Sequence, residues 1–359
     1  MQDDLDEWEL RGLDLKSRVS TLVPQDFGTL ALDVFRFQAT FNPLYQTYVR
    51  LRGISVEEVK TMDQIPFLPI ELFKNYRVQT GFAPILFDFE SSGTTGQIPS
   101  KHPVCDPGFY QAHAQKIFES QYGPLSEYHI FALLPSYIER GNSSLVFMMD
   151  HFIRESRSEF SGFYLNQYET LVDQITAALK SNRKIWVMGV TFGLLDWVDS
   201  GQDFTFWQEA VSAGRIMVME TGGMKGRREE WIRDRVHAFL MDGMGVTKIA
   251  SEYGMTELFS QAYADQAGVF TPGVSMRVLL REVNDPFGQV TQAGRVGGIK
   301  VIDLANIDSC SFIETKDLGS LEPDGIRFKV LGRFDNSEQR GCNLMLAQGW
   351  GTNQEEPSS

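Results

Sequence analysis

The chain contains 359 residues, of which 42% are hydrophobic and 22% are charged, and its formal net charge is −14. This length is enough for one large α/β domain or for two ordinary domains. The acidic balance makes nucleic acid and anionic lipid poor partners. A small polyanion remains compatible, because a local cradle of backbone N–H groups and a metal ion can outweigh the overall field.

The cysteine pattern and the N-terminus bear on the compartment. Cys105, Cys310 and Cys342 are widely spaced, which favours neither a disulfide framework nor a zinc site and indicates a reducing environment. The first residues, MQDDLDEWELRGLD, are acidic and lack the apolar run of a signal peptide. No run of about 18 apolar residues predicts a membrane span. We therefore expect a cytoplasmic protein.

The first region, residues 1–80, is predicted to be a helical segment packed on the main domain. Apolar residues recur at helical spacing from Leu30 to Tyr48. A short helix is expected at 56–60. The stretch from Ile65 contains two prolines and is predicted to be irregular.

The second region, residues 81–270, alternates between strands and helices and is predicted to be the ligand-binding core. Strands are expected at 85–89, 128–134, 184–189, 215–220 and 246–251. Helices are expected at 107–122, 143–154, 167–181, 193–200, 227–241 and 257–266. This alternation predicts an α/β fold with a mostly parallel sheet flanked by helices.

The third region, residues 271–345, has short strands separated by Gly, Pro and Asp turns. Strands are expected at 274–280, 296–304, 310–315 and 326–331. They predict a small antiparallel β subdomain that ends in a hinge-like motif. Residues 346–359 are predicted to be a disordered tail.

A hydroxyl- and glycine-rich loop follows the first strand of the core. It consists of Ser91, Ser92, Gly93, Thr94, Thr95 and Gly96. Glycines let backbone N–H groups approach a ligand closely, and hydroxyls add donors for phosphate oxygens. The pattern favours a phosphate-binding loop, and the alternative is a solvated turn.

Four further segments lie at strand ends or turns. They are 221–227 (TGGMKGR), 251–257 (SEYGMTE), 314–319 (ETKDLG) and 332–335 (GRFD). Taken singly, each has a structural alternative: a flexible loop, a capped helix N-terminus, or a turn between strands. The segments are more informative together than singly, because independent turns would rarely line up in the order and at the separations of a known set of motifs.

Together, SSGTTGQIPSKH, SEYGMTE, ETKDLG and GRFD resemble the motifs of the adenylate-forming superfamily, which includes acyl-CoA synthetases, luciferases and nonribosomal adenylation domains. The resemblance covers residues 91–343 and implies binding of ATP and Mg²⁺. Two positions depart from the usual pattern. Ser100 stands at the lysine position of the phosphate loop, with Lys101 one step later, and Lys316 replaces a glycine.

The resemblance also implies roles for individual residues. Tyr253 would stack beside adenine, within a motif that includes Gly254 and Met255. Thr256 would contact the α-phosphate and Glu257 would hold Mg²⁺, a hard cation that prefers carboxylate and phosphate oxygens.

Other motif residues would contact the remainder of the nucleotide. Asp317 would accept hydrogen bonds from the ribose hydroxyls, and Arg333 would reach the ribose or a phosphate. The backbone of Gly222 and Gly223 would run along the adenine, and Asp335 would be the hinge pivot.

The length and the C-terminal motifs narrow the resemblance to LuxE-type acyl-protein synthetases, which are long-chain fatty acid–protein ligases. The chain stops soon after Asp335, so the usual C-terminal lid and its lysine are expected to be absent. Lys225 is a candidate substitute, with a solvated lysine as the alternative. Cys342 lies in the position of the acyl-accepting cysteine, where a thiolate is a good nucleophile. The alternative for Cys342 is a small buried residue.

The implied activity is a two-step acid–thiol ligase reaction. A fatty or other carboxylic acid would be joined to AMP and then passed to Cys342. Arg340 nearby could lower the pKa of that thiol. An acyl reductase or another acyl-acceptor protein would be the partner.

Two alternatives remain open at this point. A CoA ligase of the phenylacetate type would share the first step and differ in the thiol. A catalytically silent nucleotide- or acyl-binding module would lack the chemistry. His102 and His151 are candidate pocket residues, with a structural role as the alternative for each, and Cys105 and Cys310 are expected to be structural.

Overall fold

A computed structural model describes residues 6–91, 98–134, 142–165, 167–222, 231–265, 267–285 and 287–334. The helices α1 to α10 are Glu7–Ser20, Phe27–Phe41, Pro43–Leu51, Leu72–Asn75, Pro107–Tyr122, Ser144–Ser156, Tyr168–Ala178, Thr191–Asp199, Gln208–Ser212 and Arg233–Met244. The strands β1 to β8 are Leu68–Pro69, Phe87–Glu90, Lys101–Val104, Tyr128–Leu133, Gly162–Phe163, Lys184–Gly189, Ile216–Glu220 and Ala250–Tyr253. The strands β9 to β15 are Ala262–Ala264, Val269–Pro272, Met276–Arg281, Gln289–Val290, Val296–Asp303, Phe312–Leu321 and Phe328–Arg333.

One large mixed sheet organises the described residues. Its strand order is β12-β11-β13-β14-β15-β10-β9-β8-β7-β6-β4-β5, with β1 paired to β14. Strands β4 to β8 pair in parallel, and β9 joins β8 in antiparallel orientation. The strands from β10 to β15 continue antiparallel. Strands β2 and β3 form a separate two-stranded antiparallel sheet.

The parallel part is buried on both faces, as parallel sheets generally are. Strand β6 illustrates this, since Trp186 and Met188 belong to one apolar cluster with α5 and α6. Ile185 and Val187 belong to a second cluster on the opposite face. Successive side chains of a strand point to opposite faces, so helices cover both sides.

The predicted fold class is confirmed, with a large sheet flanked by helices and antiparallel strands after residue 270. The proposed domain bounds stay a prediction. Of the helices among the described residues, none combines the length and the apolarity needed to cross a bilayer.

Several element predictions were wrong or incomplete. Helix α1 was not predicted, although Leu15 and Val19 bury its inner face. Strand β3, which follows the hydroxyl-rich loop and contains Pro103, was also missed. The helix predicted at 257–266 is absent, because that segment turns and then forms β9.

Candidate active site

The β2–β3 hairpin brackets the hydroxyl-rich loop. The Ser91 N–H donates to the Ser100 carbonyl at 3.1 Å. The Ser100 N–H in turn donates to Ser91 Oγ at 2.8 Å. These two bonds close the base of the loop. Lys101 lies one step beyond and pairs with Glu90 at 3.4 Å, with about half of its side chain exposed.

Tyr253, the last residue of β8, contacts the antiparallel strands through its hydroxyl. That hydroxyl donates to Asp317 Oδ2 at 2.9 Å. Asp317 lies on β14 opposite Arg333 of β15, and Arg333 Nε is 3.4 Å from Asp317 Oδ1. Three residues predicted to contact one nucleotide therefore lie together.

Glu257 lies in the turn after β8, and 4% of the residue is exposed. Burial raises the pKa of its carboxyl, while a hydrogen bond from Ser100 and the charge of Arg333 act in the opposite direction. Ser100 at the base of the hydroxyl-rich loop and the Asp317–Arg333 pair thus all act on the Glu257 carboxyl. Four predicted segments meet at this point.

Buried polar groups hold the backbone of this turn. Asn306 Nδ2 donates to the Glu257 carbonyl at 2.8 Å. Asp303 accepts the backbone N–H groups of Phe259 at 2.7 Å and of Ser260 at 2.9 Å. A helix would direct those N–H groups to carbonyls four residues earlier, and the Asp303 carboxylate takes them instead. This is the physical reason that the predicted helix is absent.

His102 supports the same turn from β3. Its Nδ1 lies 2.9 Å from the Thr256 carbonyl, and its ring stacks on Phe259 with centroids 4.7 Å apart. Burial lowers the pKa of His102 to about 4. A carbonyl can only accept, so Nδ1 carries the proton of a neutral ring. His102 therefore positions Thr256 and Glu257.

Glu220, at the end of β7, was missed by the sequence interpretation. Its carboxylate is 3% exposed and is surrounded by donors. They are Thr191 Oγ1 at 3.0 Å, Gly222 N at 2.5 Å, Ser251 Oγ at 2.6 Å, Arg233 Nε at 3.3 Å and His237 Nε2 at 3.5 Å. The only available signal was a charged residue closing the apolar strand IMVME.

Glu220 joins the sheet to the loop predicted to follow the adenine. The Gly222 backbone has φ +72°, a left-handed conformation that favours glycine. The Gly222 N–H bond to Glu220 fixes where the chain leaves β7. Although burial alone would raise the pKa of Glu220, the bonds from His237 and Ser251 and the charge of Arg233 lower it to about 2. Glu220 is therefore a buried carboxylate.

Comparison with known proteins shows what this chain is similar to. No protein-family model matches the sequence. The long-chain-fatty-acid–luciferin-component ligase of Aliivibrio fischeri is 22% identical over 341 residues, which cover 89% of this chain and 87% of the relative.

Solved structures agree on the fold. A 2-hydroxyisobutyryl-CoA ligase, in complex with 2-HIB-AMP and CoA in its thioesterification state, superposes with a TM-score of 0.60 at 13% identity. The match covers 89% of this chain and 71% of that one. An open conformation of the same ligase gives a TM-score of 0.61 at 12% identity, covering 90% and 75%.

The chain has the fold of these ligases. The resemblance inferred from the motifs is thereby confirmed in sequence and in architecture. Of the predicted site residues, Ser91, Gly222, Glu257, Asp317 and Arg333 are among those placed by the structure, as are Tyr253, Gly254, Met255 and Thr256.

Several predicted residues lie outside the described part of the chain. They are Ser92, Gly93, Thr94, Thr95, Gly96, Gly223, Lys225, Asp335, Arg340 and Cys342. Their roles stay predictions.

The remaining candidates have other surroundings. His151 lies on α6, and its Nε2 is 2.9 Å from Gln115 Oε1 on α5. Cys310 is buried and Cys105 is half-buried, and both are free. Burial raises the pKa of each of these two thiols to about 12. Neither is suited to nucleophilic attack near neutral pH.

Proposed function

We propose that the protein activates a carboxylic acid with ATP to form an acyl-adenylate and then transfers the acyl group to Cys342. The observation that carries the proposal is the hydrogen bond of Tyr253 to Asp317, with Arg333 and Glu257 beside it. An aromatic ring, a carboxylate, a guanidinium and a second carboxylate are the groups that adenine, ribose, phosphate and a metal ion require.

The nucleotide is oriented by these groups. The Tyr253 ring lies along the adenine and the Asp317 carboxylate accepts the ribose hydroxyls. The hydroxyl-rich loop, whose base is closed by Ser91 and Ser100, donates to the phosphates. Thr256 contacts the α-phosphate, and His102 holds the Thr256 carbonyl in place.

Glu257 suits a magnesium ion bound together with nucleotide phosphates. Mg²⁺ is usually held by one or two carboxylates, substrate phosphates and water. No cluster of three or more His, Cys, Asp or Glu side chains that could enclose a metal occurs among the described residues, and a single buried carboxylate fits this mode. When bound, Mg²⁺ neutralises charge on the departing pyrophosphate.

The first step is an in-line displacement at the α-phosphorus. A carboxylate oxygen of the substrate bonds to phosphorus, the bond to the bridging oxygen breaks, and pyrophosphate leaves. The protein contributes positioning and charge stabilisation. Arg333 is close enough to Glu257 to lower the pKa of its carboxyl, so its positive charge acts on the same region.

The second step transfers the acyl group to sulfur. The Cys342 thiolate attacks the acyl carbon, a thioester forms, and AMP leaves with the electron pair. Cys342 is favoured among the three cysteines because burial raises the pKa values of Cys105 and Cys310, which disfavours those thiols. The Aliivibrio fischeri relative is named for ligation of a long-chain fatty acid to a luciferin component. A long-chain fatty acid is accordingly the first substrate to try.

ATP–pyrophosphate exchange over a panel of carboxylates tests the first step. We expect exchange that requires Mg²⁺ and falls by about two orders of magnitude or more in Glu257→Gln. Glu209→Gln, on the exposed face of α9, is a matched control that keeps full exchange. No exchange with any acid, alongside measurable ATP binding, would show a silent module instead.

Labelled fatty acid with ATP tests the second step. We expect label on the protein that is lost in Cys342→Ser, retained in Cys105→Ser, and released by hydroxylamine. Formation of soluble acyl-CoA on addition of CoA, unaffected by Cys342→Ser, would identify a CoA ligase.

A further inference from the structure

A small cavity lies between the antiparallel strands and the segment that follows α3. Its volume is about 90 Å³, which is room for a few water molecules or one small ion. Lys300 on β13 and Glu314 on β14 are directly opposite each other in the antiparallel pair, and both line the cavity. Arg52 and Asp63 line it from the segment after α3. The cavity therefore brings together charged side chains that are distant in sequence.

The Lys300 ammonium is buried without a partner. Only 7% of the residue is exposed, and the ammonium makes no hydrogen bond or ion pair with the described residues. Its Nζ lies 4.7 Å from the centroid of the Phe67 ring. Lysine is almost never fully buried unless it is paired, because a charge that loses its water is costly. A partner of opposite charge is therefore missing at this position.

The carboxylates of the cavity do not supply that partner. Arg281 Nε is 2.8 Å from Glu314 Oε1, so the Glu314 charge is already offset by a guanidinium. Asp63 is exposed, and water screens its charge. Burial lowers the pKa of Lys300, and the charges of Glu314 and Asp63 only act against this effect.

Arg52 adds a second cation to the same cavity. The residue is exposed, and its guanidinium carbon is 4.3 Å from the centroid of the Phe287 ring. It forms no ion pair with the described carboxylates. Its positive charge also lowers the pKa of Lys300. Two cations that repel each other thus line one small cavity, and an anion between them would relieve the repulsion.

This cavity is separate from the candidate active site. Tyr253, Glu257, Asp317 and Arg333 do not line it. A ligand here is therefore neither the nucleotide nor the acid proposed above.

We propose that this cavity is an anion-binding site, in which Lys300 and Arg52 hold one small oxyanion of the phosphate class. The inference goes beyond the proposed function and does not depend on it. An oxyanion accepts hydrogen bonds from the ammonium and from the planar guanidinium, which binds such groups through parallel N–H donors. The bound ion gives Lys300 its missing partner and ties the segment after α3 to β13.

Isothermal titration calorimetry of the full chain with inorganic phosphate, at constant ionic strength, tests this. We expect wild type to bind phosphate and Lys300→Met to weaken the binding by about tenfold or more, because charge-assisted hydrogen bonds are strong. Replacing a buried charge by an apolar group of similar length should preserve the fold. Should Lys300→Met not fold, Arg52→Gln at an exposed position should still weaken the binding by about threefold.

Lys329→Met is the matched control. It removes a lysine from β15 whose side chain is 43% exposed and which does not line the cavity, so phosphate binding should stay unchanged. An equal loss in Lys329→Met would show a diffuse effect of charge and overturn the inference. Phosphate binding that is unchanged in Lys300→Met and Arg52→Gln would place the ion elsewhere and also overturn it. Absence of phosphate binding in wild type would show that the cavity holds water alone, with the same consequence.

Discussion

The Tyr253 hydroxyl donates to Asp317 Oδ2 at 2.9 Å, and this bond joins β8, the last of the parallel strands, to β14 in the antiparallel part. Tyr253 packs against Phe270 and Phe328, with ring centroids 5.8 and 5.5 Å away. A buried aromatic ring thus fixes the orientation of the carboxylate proposed to hold the ribose.

Tyr253→Phe keeps the ring and removes this bond. One hydrogen bond contributes about 1 kcal/mol, so we expect KM for ATP to rise by about fivefold with little change in kcat. Titration of ATP in the exchange assay measures this. An unchanged KM combined with lower stability to urea would show that the bond is only structural.

Glu220→Gln should destabilise the protein near neutral pH. The pKa of Glu220 is lowered from 4.5 to about 2 in the folded protein, so the folded state favours the carboxylate. The stabilisation is present above about pH 5 and is lost as the pH falls toward 2. This difference corresponds to about 3 kcal/mol.

Urea unfolding across this pH range measures the Glu220 effect. Glu209→Gln, an exposed carboxylate on α9, should differ from wild type by less than about 0.5 kcal/mol. Wild type and Glu220→Gln of equal stability at neutral pH would contradict the prediction.

Glu252→Gln, unlike Glu220→Gln, should stabilise the protein near neutral pH. Burial, and then the charge of Glu220, raise the pKa of Glu252 from 4.5 to about 8. Tyr110 and Tyr263 are the other titratable groups facing it. Below the unfolded pKa the wild-type carboxyl is neutral in both states. As the pH rises from 4.5 to 8, wild type should lose stability relative to Glu252→Gln. Unfolding free energies at several pH values test this, and a difference independent of pH would refute it.

Gly254→Ala should lower the stability of the fold through a contact with Glu252, because the added methyl would lie 2.3 Å from Oε1 of this side chain, which is only 8% exposed. Glu252→Ala removes that contact. The double variant should therefore be more stable than the sum of the single effects predicts, with a coupling of about 1 kcal/mol or more. Additive stabilities in a double-mutant cycle would rule out this contact as the cause.

Thiol labelling should distinguish the cysteines in the folded protein. Burial raises the pKa of Cys105 and of Cys310 to about 12, and thiolates are the reactive form. At neutral pH we expect iodoacetamide to modify Cys342 quickly and the other two only after unfolding. Peptide mass spectrometry identifies the modified cysteines. Fast modification of Cys105 or Cys310 in folded Cys342→Ser would contradict the prediction.

Local patterns predicted most of the α/β core. The strands at β4, β6 and β7 and the helices at α5, α6 and α7 were found within a few residues of their observed bounds, because apolar spacing is decided locally. The same reasoning wrongly predicted a helix in the segment after Glu257. Its backbone N–H groups are taken by Asp303, a residue more than forty positions away along the chain.

The sequence by itself determined the order of the motifs and which side chains are proposed to carry the chemistry: a hydroxyl-rich loop, then Tyr253, Glu257, Asp317 and Arg333. Only the tertiary structure decided how they are held. The surroundings of Glu220, His102 and Glu252 are formed by strands and helices that are distant in sequence. Burial and paired hydrogen bonds arise from the packing of such segments, so neither the pKa of a carboxyl nor its partners can be inferred from neighbouring residues.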